Sequence, residues 1–158
     1  VRKLLEDSKL PGMKVLEFAF EPKAAGDSVP FRITENSTCY IGTHDNDTVK
    51  GWLENFDEKC VAFAKEYMNV RSDDGWNEAF LRTGLASPAK FFCAQMQDIL
   101  ELGEDARMNT PGKPHGNWRW RMKKDAITPE LAEKLRDLAI TYGRYTEPEP
   151  EAEEKQTD

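Results

Sequence analysis

The chain has 158 residues and a formal charge of −7, with 32% charged and 39% hydrophobic residues. This acidic balance argues against a nucleic-acid partner, which would need a basic face. No apolar run approaches the roughly 20 residues that span a bilayer, so no membrane partner is expected either. The length suits one globular domain of about 100 to 200 residues.

The chain is predicted to begin at the end of a helix, with Leu4 and Leu5 facing inward. Residues 13–18 are predicted to form a strand. Alternation along that strand places Phe18 in the core and Glu17 on the opposite face, and no catalytic part is assigned to Glu17.

Strands and helices alternate in the prediction for the rest of the chain. The run at 38–41 is a short strand that stops at Gly42, and a helix follows with Asp47 or Thr48 as its N-cap. Asp57 is expected to cap the next helix. The later elements are a helix at 76–85, a strand candidate at 89–96, a long loop over 101–127 and a last helix that begins at Thr128.

The three cysteines are Cys39, Cys60 and Cys93. They lie far apart and lack the Cys-x-x-Cys spacing of a structural zinc site. Their neighbours are apolar or follow a strand pattern, so all three are predicted to be buried free thiols. Free thiols suit a reducing compartment, and the expected location is the cytoplasm.

The end of the chain differs in composition from what precedes it. Residues 146–158 are rich in glutamate and punctuated by proline, and they offer little apolar surface to bury. We expect a disordered acidic tail there. The folded domain is therefore predicted to occupy residues 1–145.

Four sequence segments bear on function. Residues 40–48 read YIGTHDNDT, and their polar groups follow the carboxyl end of a strand, where α/β folds carry active sites. Residues 10–20 read LPGMKVLEFAF, and residues 106–112 and 116–121 read ARMNTPG and GNWRWR. In their order along the chain, these segments closely resemble the amylomaltases, the 4-α-glucanotransferases of glycoside hydrolase family 77 in the α-amylase clan.

The resemblance implies both a fold and an activity. The fold would be α/β, the C-terminal portion of a (β/α)8 barrel with about its last three strands, because a full barrel takes about 250 residues. The parent enzyme would transfer α-1,4-glucan segments between maltooligosaccharides by a retaining double displacement. The family's nucleophilic Asp and acid/base Glu have no match here and are expected upstream of Val1. The missing N-terminal part of the barrel is therefore an expected partner, and no cofactor is implied.

Asp45 matches the third carboxylate of the family, which stabilises the transition state. Positive charge develops on the sugar ring during cleavage, and a carboxylate that binds more strongly as this charge appears lowers the barrier. By the same resemblance, His44 would donate a hydrogen bond to a hydroxyl of the same sugar. Taken alone, the pair fits ordinary loop residues before a helix somewhat better than it fits a catalytic pair. A metal site would need more ligands, and His115 is the only other histidine.

Asn109, Asn117 and Trp118 are the candidate sugar contacts in the long loop. A sugar presents hydroxyl groups and an apolar C–H face, which suit amide and aromatic side chains. The spacing of Trp118 and Trp120 also fits two tryptophans packed in a core, whereas nucleic-acid binding by this basic–aromatic run conflicts with the acidic chain. The family has Gly-Thr where this chain has residues 113–115, Lys-Pro-His, a departure expected to alter acceptor preference.

Three other hypotheses stay open at this point. A non-catalytic glucan-binding fragment would bind maltooligosaccharides weakly without turning them over. One half of a split enzyme would expose apolar strand edges and uncovered helix faces. A metal-dependent hydrolase built on His44 and Asp45 would lose its activity to chelators.

Overall fold

The computed structural model describes residues 2–20, 28–72 and 75–147. The sheet in these ranges has three parallel strands in the order β1 (Gly12–Val15), β2 (Ser37–Tyr40) and β3 (Phe91–Cys93). Gly12 pairs with Ser37, and Thr38 pairs with Phe91. Parallel neighbours need long crossover connections, and helices occupy the one between β2 and β3. The α/β fold class predicted from the sequence is confirmed.

Six α-helices lie in the described ranges. They are α1 (Arg2–Ser8), α2 (Val49–Asn55), α3 (Glu58–Met68), α4 (Trp76–Ala86), α5 (Met96–Ile99) and α6 (Pro129–Thr141). Single turns of 3-10 helix lie at Leu16–Phe18, Pro30–Arg32 and Glu104–Ala106. None of the helices described has the length and apolar character needed to cross a membrane.

Helix starts follow the capping residues in the sequence. The Thr48 hydroxyl accepts a hydrogen bond from the Gly51 amide at 3.2 Å, which makes Thr48 rather than Asp47 the cap of α2. Asp57 caps α3, and its carboxylate accepts from the Lys59 amide at 2.9 Å. Each cap satisfies an amide that has no partner inside its helix.

The hydrophobic core lies between the sheet and helices α2, α3 and α4. Phe20 is fully buried at its centre, with its ring centroid 5.8 Å from that of Phe80 and 6.4 Å from that of Trp52. Both pairs are edge-to-face, the arrangement that aromatic quadrupoles favour. The sheet is thereby anchored to α2, the helix that begins beside the His-Asp segment.

The predicted strand at 13–18 is too long. It ends at Val15, and a 3-10 turn over Leu16–Phe18 follows. The turn breaks the alternation of the strand, so Glu17 is only 2% exposed and Phe18 is 54% exposed. The prediction that Phe18 lies in the core and Glu17 faces away from it is therefore wrong.

Three further expectations, two about burial and one about the length of a strand, are wrong. Leu4 and Leu5 on α1 are 73% and 40% exposed, because no described element covers the outer side of this helix. Cys93 is exposed on the edge strand β3, whereas Cys39 and Cys60 are buried as predicted. The strand expected over 89–96 is also shorter, since it is confined to Phe91–Cys93. Of the predicted tail at 146–158, all but the first two residues lie outside the described residues.

Candidate active site

The candidate site lies at the carboxyl edge of the sheet, where the segments after the three strands meet. The Glu17 amide donates to the Ile41 carbonyl at 3.1 Å, and the Ile41 amide donates to the Cys93 carbonyl at 3.3 Å. These bonds extend the pairing beyond the strands and hold the following segments side by side. Such an edge is the usual place for a site in a parallel α/β fold.

A tight turn after β2 presents His44 and Asp45. Asn46 closes this turn, because its side-chain oxygen accepts from the Thr43 amide at 3.0 Å and from the Thr43 hydroxyl at 2.8 Å. The Asn46 amide in turn donates to the Thr43 carbonyl at 3.0 Å. His44 and Asp45 lie between Thr43 and Asn46, and their side chains are 54% and 50% exposed, respectively. The turn therefore directs both toward solvent from a fixed backbone.

Asp45 is in contact with two of the residues predicted to join it. The Asn109 side-chain amide donates to its carboxylate oxygen Oδ1 at 2.6 Å. Nε2 of His44 lies 3.3 Å from the same oxygen. The Asn109 main-chain amide also donates to the His44 carbonyl at 3.0 Å. Residues far apart in the sequence thus form one compact polar group.

Trp118 lies against this group rather than in the core. Its side chain is 55% exposed, and its ring centroid is 5.1 Å from that of His44. Its backbone has a φ of 62°, in the left-handed region that bulky residues rarely adopt. A 2.7 Å bond from its amide to the Met108 carbonyl holds it there. Core packing of Trp118 is excluded, and strained backbone of this kind is enriched at functional sites.

Asn117 uses its side chain to brace the loop. Its oxygen accepts from the Thr110 amide at 2.9 Å, and its nitrogen donates to the Lys113 carbonyl at 2.9 Å. The side chain thereby fixes the two ends of the intervening turn. Its predicted contact with a sugar stays a prediction.

Arg107 joins the two halves of the group, and the sequence analysis missed it. Its guanidinium donates to the main-chain carbonyls of Asp45 at 2.7 Å and of Asn109 at 2.9 Å. It also lies 3.4 Å from a carboxylate oxygen of Asp47. The sequence feature that could have identified Arg107 is its position two residues before Asn109, inside the segment 106–112 that resembles the family.

Two buried carboxyl groups lie beneath the site. Burial raises the pKa of Glu17 to about 9; the nearby negative charge of Asp98 adds to the rise, and a hydrogen bond with Asn46 opposes it. Burial likewise raises the pKa of Asp98 to about 6, although its carboxylate accepts from the Val49 amide at 2.8 Å. Glu17 is therefore protonated at neutral pH, and it is uncharged there.

Gly42 lies where these buried groups converge. A side chain at this position would collide with the Glu17 carboxyl oxygen and crowd the Gln95 amide, so a larger residue would require these buried side chains to move. That Glu17 oxygen and that Gln95 nitrogen have no hydrogen-bond partner among the residues described. The described ranges also contain no group of three or more His, Cys, Asp or Glu side chains arranged to hold a metal ion.

The parallel sheet, with a carboxylate, an amide and an imidazole–indole pair at its carboxyl edge, defines an α/β protein with a polar, solvent-facing site. A family model described as 4-alpha-glucanotransferase, glycoside hydrolase family 77, matches residues 1–128. The chain therefore belongs to this family, and the resemblance seen in the sequence is confirmed.

Similar proteins cover nearly all of this chain. It is 43% identical over 145 residues to a 4-alpha-glucanotransferase of Aquifex aeolicus, covering 91% of this chain and 29% of that protein. It is also 43% identical over 148 residues to one of Streptococcus pneumoniae, covering 93% and 29%. An amylomaltase structure from Streptococcus agalactiae in complex with acarbose superimposes with a TM-score of 0.86 at 36% identity, over 92% of this chain and 30% of that one. The chain thus spans under a third of the length of these relatives.

Proposed function

We propose that this chain completes the (β/α)8 catalytic barrel of a 4-α-glucanotransferase. The enzyme transfers α-1,4-glucan segments between maltooligosaccharides and retains the anomeric configuration. The observation that carries the proposal is the position of Asp45 at the carboxyl edge of a parallel sheet, where the Asn109 amide binds its carboxylate and the Arg107 guanidinium binds its main-chain carbonyl. The cytoplasm is the proposed location, and buried free Cys39 and Cys60 suit its reducing conditions.

Retaining transfer needs a nucleophile and an acid/base whose carboxyl groups are about 5 Å apart. The proposal assigns both to the remaining strands of the barrel and gives Asp45 the third role. As the glycosidic bond breaks, positive charge appears on the sugar ring, and the negative charge of Asp45 stabilises it more than it stabilises the ground state. A carboxylate already oriented by a 2.6 Å bond from Asn109 needs little reorganisation at that moment.

His44, Trp118 and Asn109 are the proposed sugar contacts. The rings of His44 and Trp118 lie together and are exposed, which offers an apolar face to the C–H surface of a sugar. Asn109 has a second amide hydrogen for a hydroxyl group, and the imidazole of His44 supplies another donor. Asn117, the fourth predicted sugar contact, is proposed to contribute by keeping the loop in shape through its bonds to Thr110 and Lys113.

The strand edges support the placement of the sheet inside a larger barrel. Within the described ranges, β1 and β3 each have only β2 as a neighbour. Large apolar side chains are exposed on these edge strands, with Met13 of β1 66% and Phe91 of β3 53% exposed. Unpaired strands with apolar surroundings tend to pair with further strands. The proposed partner at both edges is the rest of the same barrel.

The proposal is tested by Asp45→Asn in the full-length protein that carries this sequence. A chimera in which residues 1–145 replace the matching part of the Aquifex aeolicus relative serves as a second background. Disproportionation of maltotriose should fall by about a hundred- to thousandfold, while maltooligosaccharide binding persists. Asp137→Asn, an exposed residue on α6, is the matched control and should leave the rate unchanged. Retention within about tenfold, some 1.4 kcal/mol of barrier, would contradict the role of Asp45.

The same assay separates the proposal from the other hypotheses. Glucan binding without turnover in both backgrounds would favour a non-catalytic glucan-binding module. Activity that returns only when this chain is co-expressed with the N-terminal part of a relative would favour a split enzyme. Loss of activity on chelation would favour the metal-dependent hydrolase.

A further inference from the structure

We infer that Arg107 is a positioning residue of this site, which fixes the backbone of Asp45 and the backbone of Asn109 at one distance from each other. This inference rests on the proposed function, because Asp45 is the group whose position matters. The carboxylate of Asp45 and the amide of Asn109 lie on separate segments, and their 2.6 Å contact exists only if those segments stay in register.

The guanidinium binds three acceptors that lie on two segments of the chain. Nη2 donates to the Asp45 carbonyl at 2.7 Å, Nε donates to the Asn109 carbonyl at 2.9 Å, and Nη1 lies 3.4 Å from the Asp47 carboxylate. A planar group with donors in fixed directions can satisfy three acceptors from different directions. A lysine ammonium has the charge but cannot reproduce that planar arrangement.

The third contact anchors Arg107 to a rigid element. The Asp47 carboxylate accepts from the Thr48 amide at 2.8 Å and packs directly over Gly51 in the first turn of α2. The side chains of Arg107 and Asp47 are only 20% and 11% exposed. Water and salt screen such a pair less than a surface pair, so it can hold the guanidinium in place.

The contact with Asp45 has a particular chemical consequence. Arg107 binds the main-chain carbonyl of Asp45 and makes no hydrogen bond to its carboxylate in this structure. A guanidinium bound to the carboxylate itself would neutralise the charge that stabilises the transition state. Arg107 therefore orients Asp45 while leaving the negative charge to act on the sugar.

The test uses Arg107→Lys and Arg107→Ala in the full-length protein. We expect kcat for maltotriose disproportionation to fall by about a hundredfold with KM changed by less than about threefold, because a displaced stabiliser acts on the transition state more than on binding. Free guanidinium ion should restore part of the kcat of Arg107→Ala, and none of the kcat of Asp45→Asn. Arg82→Lys, which alters an exposed ion pair with Glu78 at 2.8 Å, is the matched control and should have unchanged kinetics.

A double variant separates positioning from a general effect on folding. If Arg107 acts through Asp45, adding Arg107→Lys to Asp45→Asn should lower kcat by less than about threefold further. Circular dichroism and thermal melting report the folded fraction, to which every rate is normalised. Normal kcat in Arg107→Lys, or an effect that simply adds to that of Asp45→Asn, overturns the inference. If Asp45→Asn itself keeps its activity, the proposed function is what fails.

Discussion

Glu17→Gln is expected to stabilise the folded protein at neutral and alkaline pH. Glu17 is 2% exposed, and one of its carboxyl oxygens lacks a hydrogen-bond partner among the described residues. Burial and the negative charge of Asp98 raise its pKa from 4.5 to about 9. The substitution keeps the size of the side chain and removes the ionisation.

The sign and size of the effect follow from proton binding. Between pH 4.5 and about 9 the folded protein keeps the Glu17 proton and the unfolded chain has lost it. The free energy of unfolding therefore falls as the pH rises through this window. At pH 7, about 2.5 pH units above 4.5, the loss is about 3 kcal/mol at 1.36 kcal/mol per unit. Glu17→Gln should recover up to this amount at pH 7, and almost nothing at pH 4.

Urea denaturation at pH 4, 7 and 9 measures the difference directly. The gain should grow from pH 4 to pH 9, and the exposed control Glu35→Gln should show no such trend. Infrared difference spectra of wild type against Glu17→Gln should also show a protonated carboxyl at pH 7. A gain that does not change with pH, or an ionised Glu17 at pH 7, would refute the reasoning.

Three more substitutions probe the helices and the site. Gly84→Ala inserts a methyl group where the Phe92 ring packs, and it should cost about 1–3 kcal/mol in urea denaturation. Asp57→Ala removes the N-cap of α3 and should cost about 1 kcal/mol in thermal unfolding; an unchanged melting temperature would contradict that role. Trp118→Ala removes the exposed ring beside His44 and should raise KM for maltooligosaccharides about tenfold, equivalent to about 1.4 kcal/mol, whereas an unchanged KM would exclude a sugar contact.

Local signals in the sequence predicted much of the fold correctly. Thr48, Asp57 and Thr128 each accept a hydrogen bond from an amide in the first turn of the helix they precede. Capping depends on neighbours within three residues, so the sequence alone contains the information. The His44–Asp45 segment was found for a similar reason, since a strand, a polar turn and a capped helix follow one another there.

The sequence-based predictions were wrong or incomplete where contacts between segments far apart in the sequence determine burial and hydrogen bonding. Alternation along residues 13–18 would bury Phe18, but the 3-10 turn after Val15 buries Glu17 instead. A buried carboxyl at this place is tolerated only because it can remain protonated, which depends on groups from other segments. Arg107 escaped notice because two of its partners, Asp45 and Asp47, are 62 and 60 positions away in the sequence.

The loop that carries Trp118 has a closed base and an exposed tip. The Asn117 side chain hydrogen-bonds to the main chain of Thr110 and of Lys113, and the Trp118 amide donates to the Met108 carbonyl. These bonds to the main chain fix the base of the loop. Every residue from 111 to 116 is exposed. The sequence of the tip can therefore change without disturbing the base of the loop. Gly112 and Gly116 must be retained, because both adopt a positive φ. On the proposed function, substitutions at the tip are expected to change the choice of acceptor while Asp45 and Asn109 keep their positions.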